Sequence, residues 1–402
     1  GADSLTEALS HPSPDRGTII GALAGFSLTD RPKAADALIR LGVERSTLLA
    51  SPRARTLFGR LAPALLKEVA AAGDADLGLL RFERIVDSIG ARAGVFQLLL
   101  EQRRLLRLVA QICAWSEMLT RILERNPGMF DEIIETLSLD RPIRRDTLRA
   151  ELNTVLTGGD AGPTLRAFKS SGLLRIGCRD LIQETGLDAT GAALTALAEV
   201  VLQAQIVEAR RHVMRARGFS EGYIHTPGVI GLGKVGGGEM NYGSDLDVLF
   251  VCDPERHAGM MSIGDYLALQ TEIAQRVIRE MELLTPYGTL YELDTRLRPD
   301  GRKGALVMTL EGFKAYADAG RLSDAERIAL TRARPIAGHD HTCERTMHAI
   351  HSKVFMPVET DAERQRLATA VRAMREKLEA SADSRDLKRG LGGMMDIEFI
   401  CR

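Results

Sequence analysis

The sequence of 402 residues is poor in aromatic side chains and carries almost no net charge. Aromatic residues make up 4% of the chain and there is one tryptophan, so a platform on which nucleic-acid bases stack is not expected. The net charge of -1 provides no field that would attract nucleic acid or an anionic membrane. We therefore expect neither nucleic acid nor a membrane among its partners.

Cysteine is scarce, and its spacing excludes the common zinc and redox motifs. The chain has five cysteines, an odd number without any CxxC pair: Cys113, Cys178, Cys252, Cys343 and Cys401. This usage predicts reduced thiols in a cytosolic protein. Neither a signal peptide nor a long apolar run is apparent, so we predict a cytoplasmic protein without a membrane span.

The remaining composition is that of a soluble globular protein, with 45% hydrophobic and 27% charged residues. Helical patterns continue almost without a break to residue 217, strand patterns occur within 223–338, and helical patterns resume after them. The sequence therefore predicts an α+β fold that is mostly helical. We predict a helical domain over 1–160, a central domain over 161–340 with a helical lead at 161–220, and the start of a further helical domain over 341–402.

Three segments of the helical region carry more specific predictions. Residues 1–20 are expected to be a polar leader because Ser10–Arg16 is polar and contains prolines. Ser51–Ala71 is predicted to be a helix that Pro63 kinks or divides. Val95–Ala110 is predicted to be a single helix.

The most informative stretch is GVIGLGKVGGGEMNYGSDLDVLF at 228–250. We predict a strand at Gly228–Leu232, a glycine and lysine loop at Gly233–Gly238 and a second strand at Ser244–Val251. Because side chains alternate along a strand, Asp245 and Asp247 are expected to share a face.

Two carboxylates on one face repel each other unless a cation lies between them, and Mg²⁺ prefers oxygen ligands and substrate phosphates. Consecutive glycines let the backbone approach a phosphate. The acidic pair alone is also compatible with a solvated strand edge, and the glycines alone with a flexible turn. Together they favour a nucleotide and metal site. A Walker P-loop is excluded because no GxxxxGK[ST] occurs, and a Rossmann fingerprint because no helical pattern directly follows the glycines.

A third strand is predicted over Thr289–Pro299, where Glu292, Asp294, Arg296 and Arg298 would alternate onto one face. Such a face is compatible with simple solvation. If this strand neighbours the Asp245 strand, Asp294 becomes a third carboxylate and the two arginines become fork-shaped phosphate donors. Carboxylates that hold divalent ions, combined with basic phosphate ligands, suit in-line nucleotidyl transfer.

Four motifs occur in order: GLGKVGGGEMNYGSDLDVLF, YELDTRLRPDG, ALTRARPIAG and KRGLGGMMDIEF. Together they resemble the glutamine synthetase adenylyltransferase family, whose members are also called adenylyl-removing enzymes. The resemblance implies a nucleotidyltransferase domain of the DNA-polymerase-β type, a small mixed sheet with helices. The helical region ahead of it, with SPRARTLFGRLAPALL and FKSSGLLRIGCRDLI, resembles the lead of the C-terminal, adenylylating half.

The resemblance implies a reaction in which ATP adenylylates a tyrosine of glutamine synthetase and releases pyrophosphate. It also implies three groups of site residues: the metal carboxylates Asp245, Asp247 and Asp294, the nucleotide loop of Gly237, Gly238 and Ser244, and the basic positions Lys234 and Arg296. Mg²⁺ or Mn²⁺ is the implied cofactor. Glutamine synthetase, the PII signal protein and the effector glutamine are the implied partners.

Three other functions are compatible with the same residues: phosphorolytic deadenylylation of glutamine synthetase, a sugar-nucleotide transferase with a DxD motif, and a nucleotide-sensing scaffold without catalysis. One departure from the family pattern is AGRLSDAERIAL, which stands where the family has a tryptophan-rich segment. Because the chain ends just after the apolar run Ile397–Cys401, and because one set of nucleotidyltransferase motifs is present, we expect a piece of a longer protein with one of two opposing activities.

Overall fold

The computed structural model describes residues 1–42, 52–89, 91–138, 143–156, 160–182, 186–257, 259–355, 357, 359–380, 382–383 and 385–401. Over these residues the protein is mostly helical with one five-stranded mixed sheet, which confirms the predicted α+β class. The helices are α1 Ala2–Ser10, α2 Arg16–Ala22, α3 Arg31–Gly42, α4 Pro52–Ala72, α5 Ala75–Ser88, α6 Arg92–Glu101, α7 Arg103–Trp115, α8 Glu117–Arg125, α9 Phe130–Ser138, α10 Arg145–Val155, α11 Ala161–Leu181, α12 Leu187–Ala216, α13 Gly233–Gly237, α14 Ile263–Glu282, α15 Leu310–Asp318, α16 Asp324–Leu330, α17 Asp340–Val354, α18 Asp361–Glu379 and α19 Met394–Cys401. The strands are β1 Gly228–Gly231, β2 Leu246–Cys252, β3 Leu293–Asp294, β4 Val307–Thr309 and β5 Arg334–Ala337.

The chain forms two compact units. The first contains Gly1–Ile143 and Ala167–Thr190, and the second contains Arg144–Arg166 and Gly191–Arg402. Helices α11 and α12 contribute residues to both units.

The first unit is helical around one apolar core, and its beginning is not a polar leader. Leu5 and Leu9 of α1 and Ile19 of α2 are buried, and α1 contacts α4. The apolar residues of α1 recur at helical spacing, and their burial stabilises a segment whose polar end misled the prediction. The prediction of a leader over residues 1–20 was therefore wrong.

Two further predictions concern whether a helix in this unit is continuous or divided. Helix α4 is a single element that contains Pro63, so the proline does not divide it. Ser51, the first residue of the predicted helix, lies outside the described residues. The single helix predicted over Val95–Ala110 was wrong, because the backbone of Gln102 leaves helical geometry (φ -117°, ψ 89°) and separates α6 from α7.

The second unit is built on the sheet, with β2 at its centre. β1 runs antiparallel to β2, pairing Gly228 with Val251, and β5 runs antiparallel to β1. β3 and β4 both run parallel to β2, β3 at its beginning and β4 at its end. The beginning of β2 is therefore where two parallel strands start side by side.

The strand predictions were only partly correct. The strand predicted over Thr289–Pro299 is reduced to the two residues of β3, because the Asp294 side chain accepts the backbone N–H of Arg296 (2.9 Å) and turns the chain. β4 and β5 were not predicted. They are short and identified by their neighbours in the sheet rather than by a local pattern.

Helices cover the sheet and complete its core. Ile230, Leu249 and Val251 pack in one cluster with Phe313 of α15 and Ile350 of α17. Helix α14 contacts β2, β3 and β4 and buries its own apolar side. This packing supports the strands that carry the side chains at their ends.

Helix α12 is long and apolar enough, by length and composition, to cross a membrane, which differs from the prediction that the sequence has no long apolar run. Its most apolar window has a mean hydropathy of 1.4, and 72% of that window is buried within the protein. The core helix of a soluble protein meets the same criterion.

The segment that departs from the family pattern, residues 319–330, contains all of α16 and the five residues before it. Ser323 and Glu326 cap this helix reciprocally, and the Glu326 carboxylate also accepts the hydroxyl of Tyr316 (3.1 Å). The Arg321 guanidinium lies 4.8 Å from the centre of the Tyr316 ring. Polar contacts and this ring therefore organise a segment that contains no tryptophan.

Candidate active site

The glycine-rich segment after β1 is a helical turn, α13, rather than the predicted loop. The N–H of Gly236 donates to the carbonyl of Leu232 (2.8 Å), and the turn ends at Gly238, whose φ is 72°. A left-handed residue ends a helix, and glycine adopts it without steric cost. As expected, no helix follows the glycines before β2, although the glycine segment itself is helical. Lys234 lies half-buried in the turn, and Gly237 is exposed at its end.

Gly233, the first residue of α13, passes directly against the carboxylate of Asp247. Its φ is 50°, and a Cβ atom there would collide with Oδ2 of Asp247. The Leu232 N–H also donates to the Asp247 carbonyl (2.8 Å). The glycine turn and the beginning of β2 are therefore fixed against each other at this point.

Asp247 and Asp294 are paired in register on the parallel strands β2 and β3. Asp247 is half-buried, and its pKa is raised above the ordinary value by burial and then by the negative charges of Asp294 and Asp245. The positive charges of Arg296 and Lys388 oppose this rise. The predicted proximity of the three carboxylates is therefore present, and their mutual repulsion favours a bound cation.

Asp245 and Ser244 precede β2, so the predicted strand from Ser244 was wrong in its beginning. Asp245 is exposed, and it is near enough to raise the pKa of Asp247. The Ser244 hydroxyl accepts the N–H of Asn241 (3.0 Å) in the turn before the strand. Asp245 lies between that turn and β2, one residue before the strand begins.

Arg296 neutralises Asp294. Its Nε donates to both carboxylate oxygens (2.9 and 2.8 Å), and this ion pair lowers the pKa of Asp294. The arginine side chain is 64% exposed and so accessible to a phosphate, whereas the side chain of Asp294 is 16% exposed.

Arg298 has a different environment from the one predicted. Its guanidinium donates to the carbonyls of Thr295 (2.8 Å), Gly304 (3.1 Å) and Arg302 (3.2 Å). It therefore braces the loop after β3. The alternation that would place it on one strand face with Glu292 and Asp294 was wrong, since the strand ends at Asp294.

A cleft of about 460 Å³ opens beside these residues. It is lined by both acidic and basic side chains, among them Asp245, Glu282, Glu292, Asp294, Arg296 and Arg302. Sequence reasoning missed Glu282, which lies at the end of α14 and accepts the N–H of Leu293 (3.2 Å). Nothing in the local pattern distinguishes it from a solvated helix residue.

Lys388 was also missed, although the motif that contains it, KRGLGGMMDIEF, was noted. Asp386 accepts the N–H groups of Lys388 and Arg389 (both 2.9 Å) and shapes this loop. Asp396 pairs with Arg375 and accepts the Gly392 N–H (2.6 Å), so it stabilises the same loop. The loop thereby carries the Lys388 charge close enough to lower the pKa of Asp247.

The donor chemistry fits Mg²⁺ or Mn²⁺ if phosphates complete the ligand shell. Among the described residues, no three acidic, histidine or cysteine side chains are arranged to enclose a metal ion by themselves. Mg²⁺ commonly takes one or two carboxylates and fills its other positions with water and substrate phosphate. Asp247 and Asp294, adjacent and of like charge, supply that minimal protein set.

Removing Arg296 provides a test of this charge arrangement. In Arg296→Ala, we expect the Asp294 pKa to rise toward its ordinary value and ATP to bind more weakly. A lowered carboxyl pKa stabilises the fold at pH values above the unfolded pKa, and this stabilisation disappears as pH falls through the native pKa. The variant should therefore lose less stability on acidification. Carboxyl NMR titration, calorimetry with ATP and thermal unfolding across pH measure the three effects, and an unchanged ATP affinity would contradict the phosphate role.

Comparison with known proteins identifies the family of this chain. The family model described as glutamate-ammonia ligase adenylyltransferase matches residues 106–349, more than half of the chain. A relative from Thioalkalivibrio sulfidiphilus, described as a bifunctional glutamine synthetase adenylyltransferase/adenylyl-removing enzyme, is 35% identical over 411 aligned residues. The alignment covers 96% of this chain but 41% of the relative. The chain therefore belongs to the glutamate-ammonia ligase adenylyltransferase family.

Proposed function

We propose that this chain transfers AMP from ATP to a tyrosine hydroxyl of glutamine synthetase, with release of pyrophosphate. Membership of this family supports the choice of ATP and glutamine synthetase as the substrates. The observation that carries the chemistry is the in-register pairing of Asp247 with Asp294 beside the glycine turn. The two carboxylates could bind a divalent ion, and the backbone of the glycine turn passes close to one of them, Asp247.

In this proposal the triphosphate lies between the carboxylates and the basic side chains. Lys234 and Arg296 bind phosphate oxygens, while Gly237, Gly238 and Ser244 shape the loop around the nucleotide. Arg298 holds the loop after β3 in place through its contacts with backbone carbonyls. A divalent ion held by Asp247 and Asp294, with Asp245 beside them and phosphates completing its ligand shell, would supply positive charge where the phosphates and the carboxylates meet.

The reaction is an in-line displacement at the α-phosphorus of ATP. The phenolic oxygen of the target tyrosine forms the new bond and loses its proton, and the bond from the α-phosphorus to the bridging oxygen breaks. Negative charge increases on the departing pyrophosphate. The guanidinium of Arg296 and the ammonium of Lys234 stabilise that charge in this proposal.

The cellular setting follows from the same resemblance. Glutamine and the PII signal protein are the proposed effectors, and the cytoplasm is the proposed location. The free thiols of Cys113, Cys178, Cys252 and Cys343 support a reducing compartment, and burial raises the pKa of each thiol to about 12. These thiols are unreactive at neutral pH.

The direct test incubates the purified chain with α-labelled ATP, Mg²⁺ and unmodified glutamine synthetase. We expect label on the synthetase, and we expect Asp245→Asn to abolish labelling. Asp361→Asn is the matched control because its side chain is 99% exposed on α18, and it should label normally.

Two results would contradict the proposal. Phosphate-driven release of ADP from adenylylated synthetase, without labelling in the forward direction, would assign the opposite activity to this chain. Binding of ATP without either reaction would leave a nucleotide-sensing role.

A further inference from the structure

Two arginines converge on one buried carboxylate near the glycine turn. Glu199 of α12 is 4% exposed, and its carboxylate pairs with Arg145 of α10 (3.1 Å) and with Arg334 of β5. Arg145 also donates to the carbonyl of Ile336 (3.0 Å) and so binds β5 directly. The buried charge is thus compensated on two sides, and its removal would leave two guanidinium groups without their partner.

Arg334 extends this cluster to α13. Its Nε donates to the carbonyl of Gly236 (3.0 Å), and one Nη donates to the carbonyl of Val235 (2.8 Å). The Val235 carbonyl also accepts the N–H of Gly238 (3.3 Å), and both carbonyls lie at the end of a five-residue helix, where few intrahelical partners remain. A single guanidinium therefore joins the buried carboxylate of Glu199 to the last carbonyls of the glycine turn.

We propose that Arg334 is a positioning residue for nucleotide binding, held by Glu199. By fixing the carbonyl end of α13, it sets the place of Gly233 and Lys234 at the other end. The inference rests on the proposed function insofar as the glycine turn is taken to bind the triphosphate of ATP.

The turn needs such external support. A helix of one turn does not form by itself, and its glycines lose much conformational freedom on ordering. The backbone also packs tightly here, because a Cβ at Gly236 would collide with the carbonyls of Arg332 and Gly231. Since the sheet has its own core, loss of the Arg334 contacts should loosen the turn while β1, β2 and β5 stay paired.

The test compares Arg334→Gln, Arg334→Lys and Glu199→Gln with the wild-type chain. Calorimetry with ATP and Mg²⁺ measures affinity, hydrogen exchange of a peptide over 228–240 measures order in the turn, and adenylyl transfer provides KM and kcat. We expect the Kd for ATP to rise by about tenfold to a hundredfold in Arg334→Gln, with faster exchange in that peptide and a larger change in KM than in kcat.

The lysine variant separates positioning from folding. Lysine preserves the charge opposite Glu199, but its single ammonium lacks the fork that reaches the carboxylate and two carbonyls together. We expect Arg334→Lys to keep the wild-type melting temperature and to show weak ATP binding. Wild-type affinity and exchange in this variant would overturn the inference.

Arg345 offers a matched control in the same unit. It pairs with Asp253, which is 2% exposed, and its side chain is 33% exposed, against 37% for Arg334. Arg345→Gln should lower the stability about as much as Arg334→Gln does, without changing the Kd for ATP. A loss of ATP affinity equal to that of Arg334→Gln would overturn the inference.

The outcomes also separate this inference from the proposed function. ATP binding that depends on Arg334, without transfer to synthetase, would support the inference and contradict the proposed function. If the wild type transfers AMP to the synthetase and Arg334→Lys binds ATP with wild-type affinity, the proposed function is supported and the inference is contradicted. Failure of the wild-type chain to bind ATP would overturn both.

Discussion

Asp247→Asn should abolish AMP transfer while the fold remains intact. Asp247 lies between Gly233 and Asp294, and its burial, followed by the charges of Asp294 and Asp245, already disfavours its charge. The amide keeps the shape of the side chain but removes the charge that a divalent ion requires. We expect the rate of AMP transfer to fall by about a thousandfold or more. The Asp247 carboxylate would hold the divalent ion that stabilises the transition state, and the amide cannot replace its charge. Labelling of glutamine synthetase measures the rate, and circular dichroism checks the fold.

The same variant should be more stable than the wild type when no metal is present. The pKa of Asp247 is raised in the folded protein, so folding is favoured when the group is protonated. The destabilising effect of its charge develops as pH rises through the native pKa. We therefore expect the stability gain of the variant to be absent in strong acid and to grow with pH, as thermal unfolding in a chelator would show.

Three results would contradict these expectations. Retained transfer with unchanged metal dependence would exclude Asp247 as a ligand. A loss of stability at neutral pH in the chelator would show that its carboxylate has a structural partner. A loss of transfer in Asp361→Asn, the exposed control on α18, would show that the assay responds to surface charge.

Gly233→Ala should be nearly as damaging, for a steric reason. The new methyl group would collide with the Asp247 carboxylate and would occupy a left-handed backbone conformation, with φ at 50°. The backbone effect costs about 1–2 kcal/mol of stability. Displacement of the carboxylate should lower transfer by about a hundredfold, as small misplacements in active sites do. Thermal unfolding and the labelling assay measure the two effects separately.

Gly320→Ala is the matched control for this substitution. Gly320 also has a positive φ, 69°, and nothing lies within 4 Å of the position of an added Cβ. It should show the backbone cost alone, with normal transfer. Equal losses of transfer in the two variants would show that backbone strain, and not contact with Asp247, explains the effect of Gly233→Ala.

The sequence alone identified the helical regions, the strand that contains Asp247, the family and the residues proposed for the site. These features depend on local patterns, such as the apolar spacing of a helix and the joint occurrence of glycines with paired aspartates. The helix boundaries were less well predicted, as at Gln102, because a break of one residue has little effect on an apolar pattern.

Only the tertiary structure decided how the site is assembled. Asp294 reaches Asp247 because β3 pairs with the beginning of β2, and the Asp294 side chain itself ends β3. Arg334 reaches the glycine turn from a strand more than ninety residues further along the chain. Such contacts depend on which strands become neighbours. Strand pairing is determined by the burial of whole sheet faces, and no short stretch of sequence encodes it.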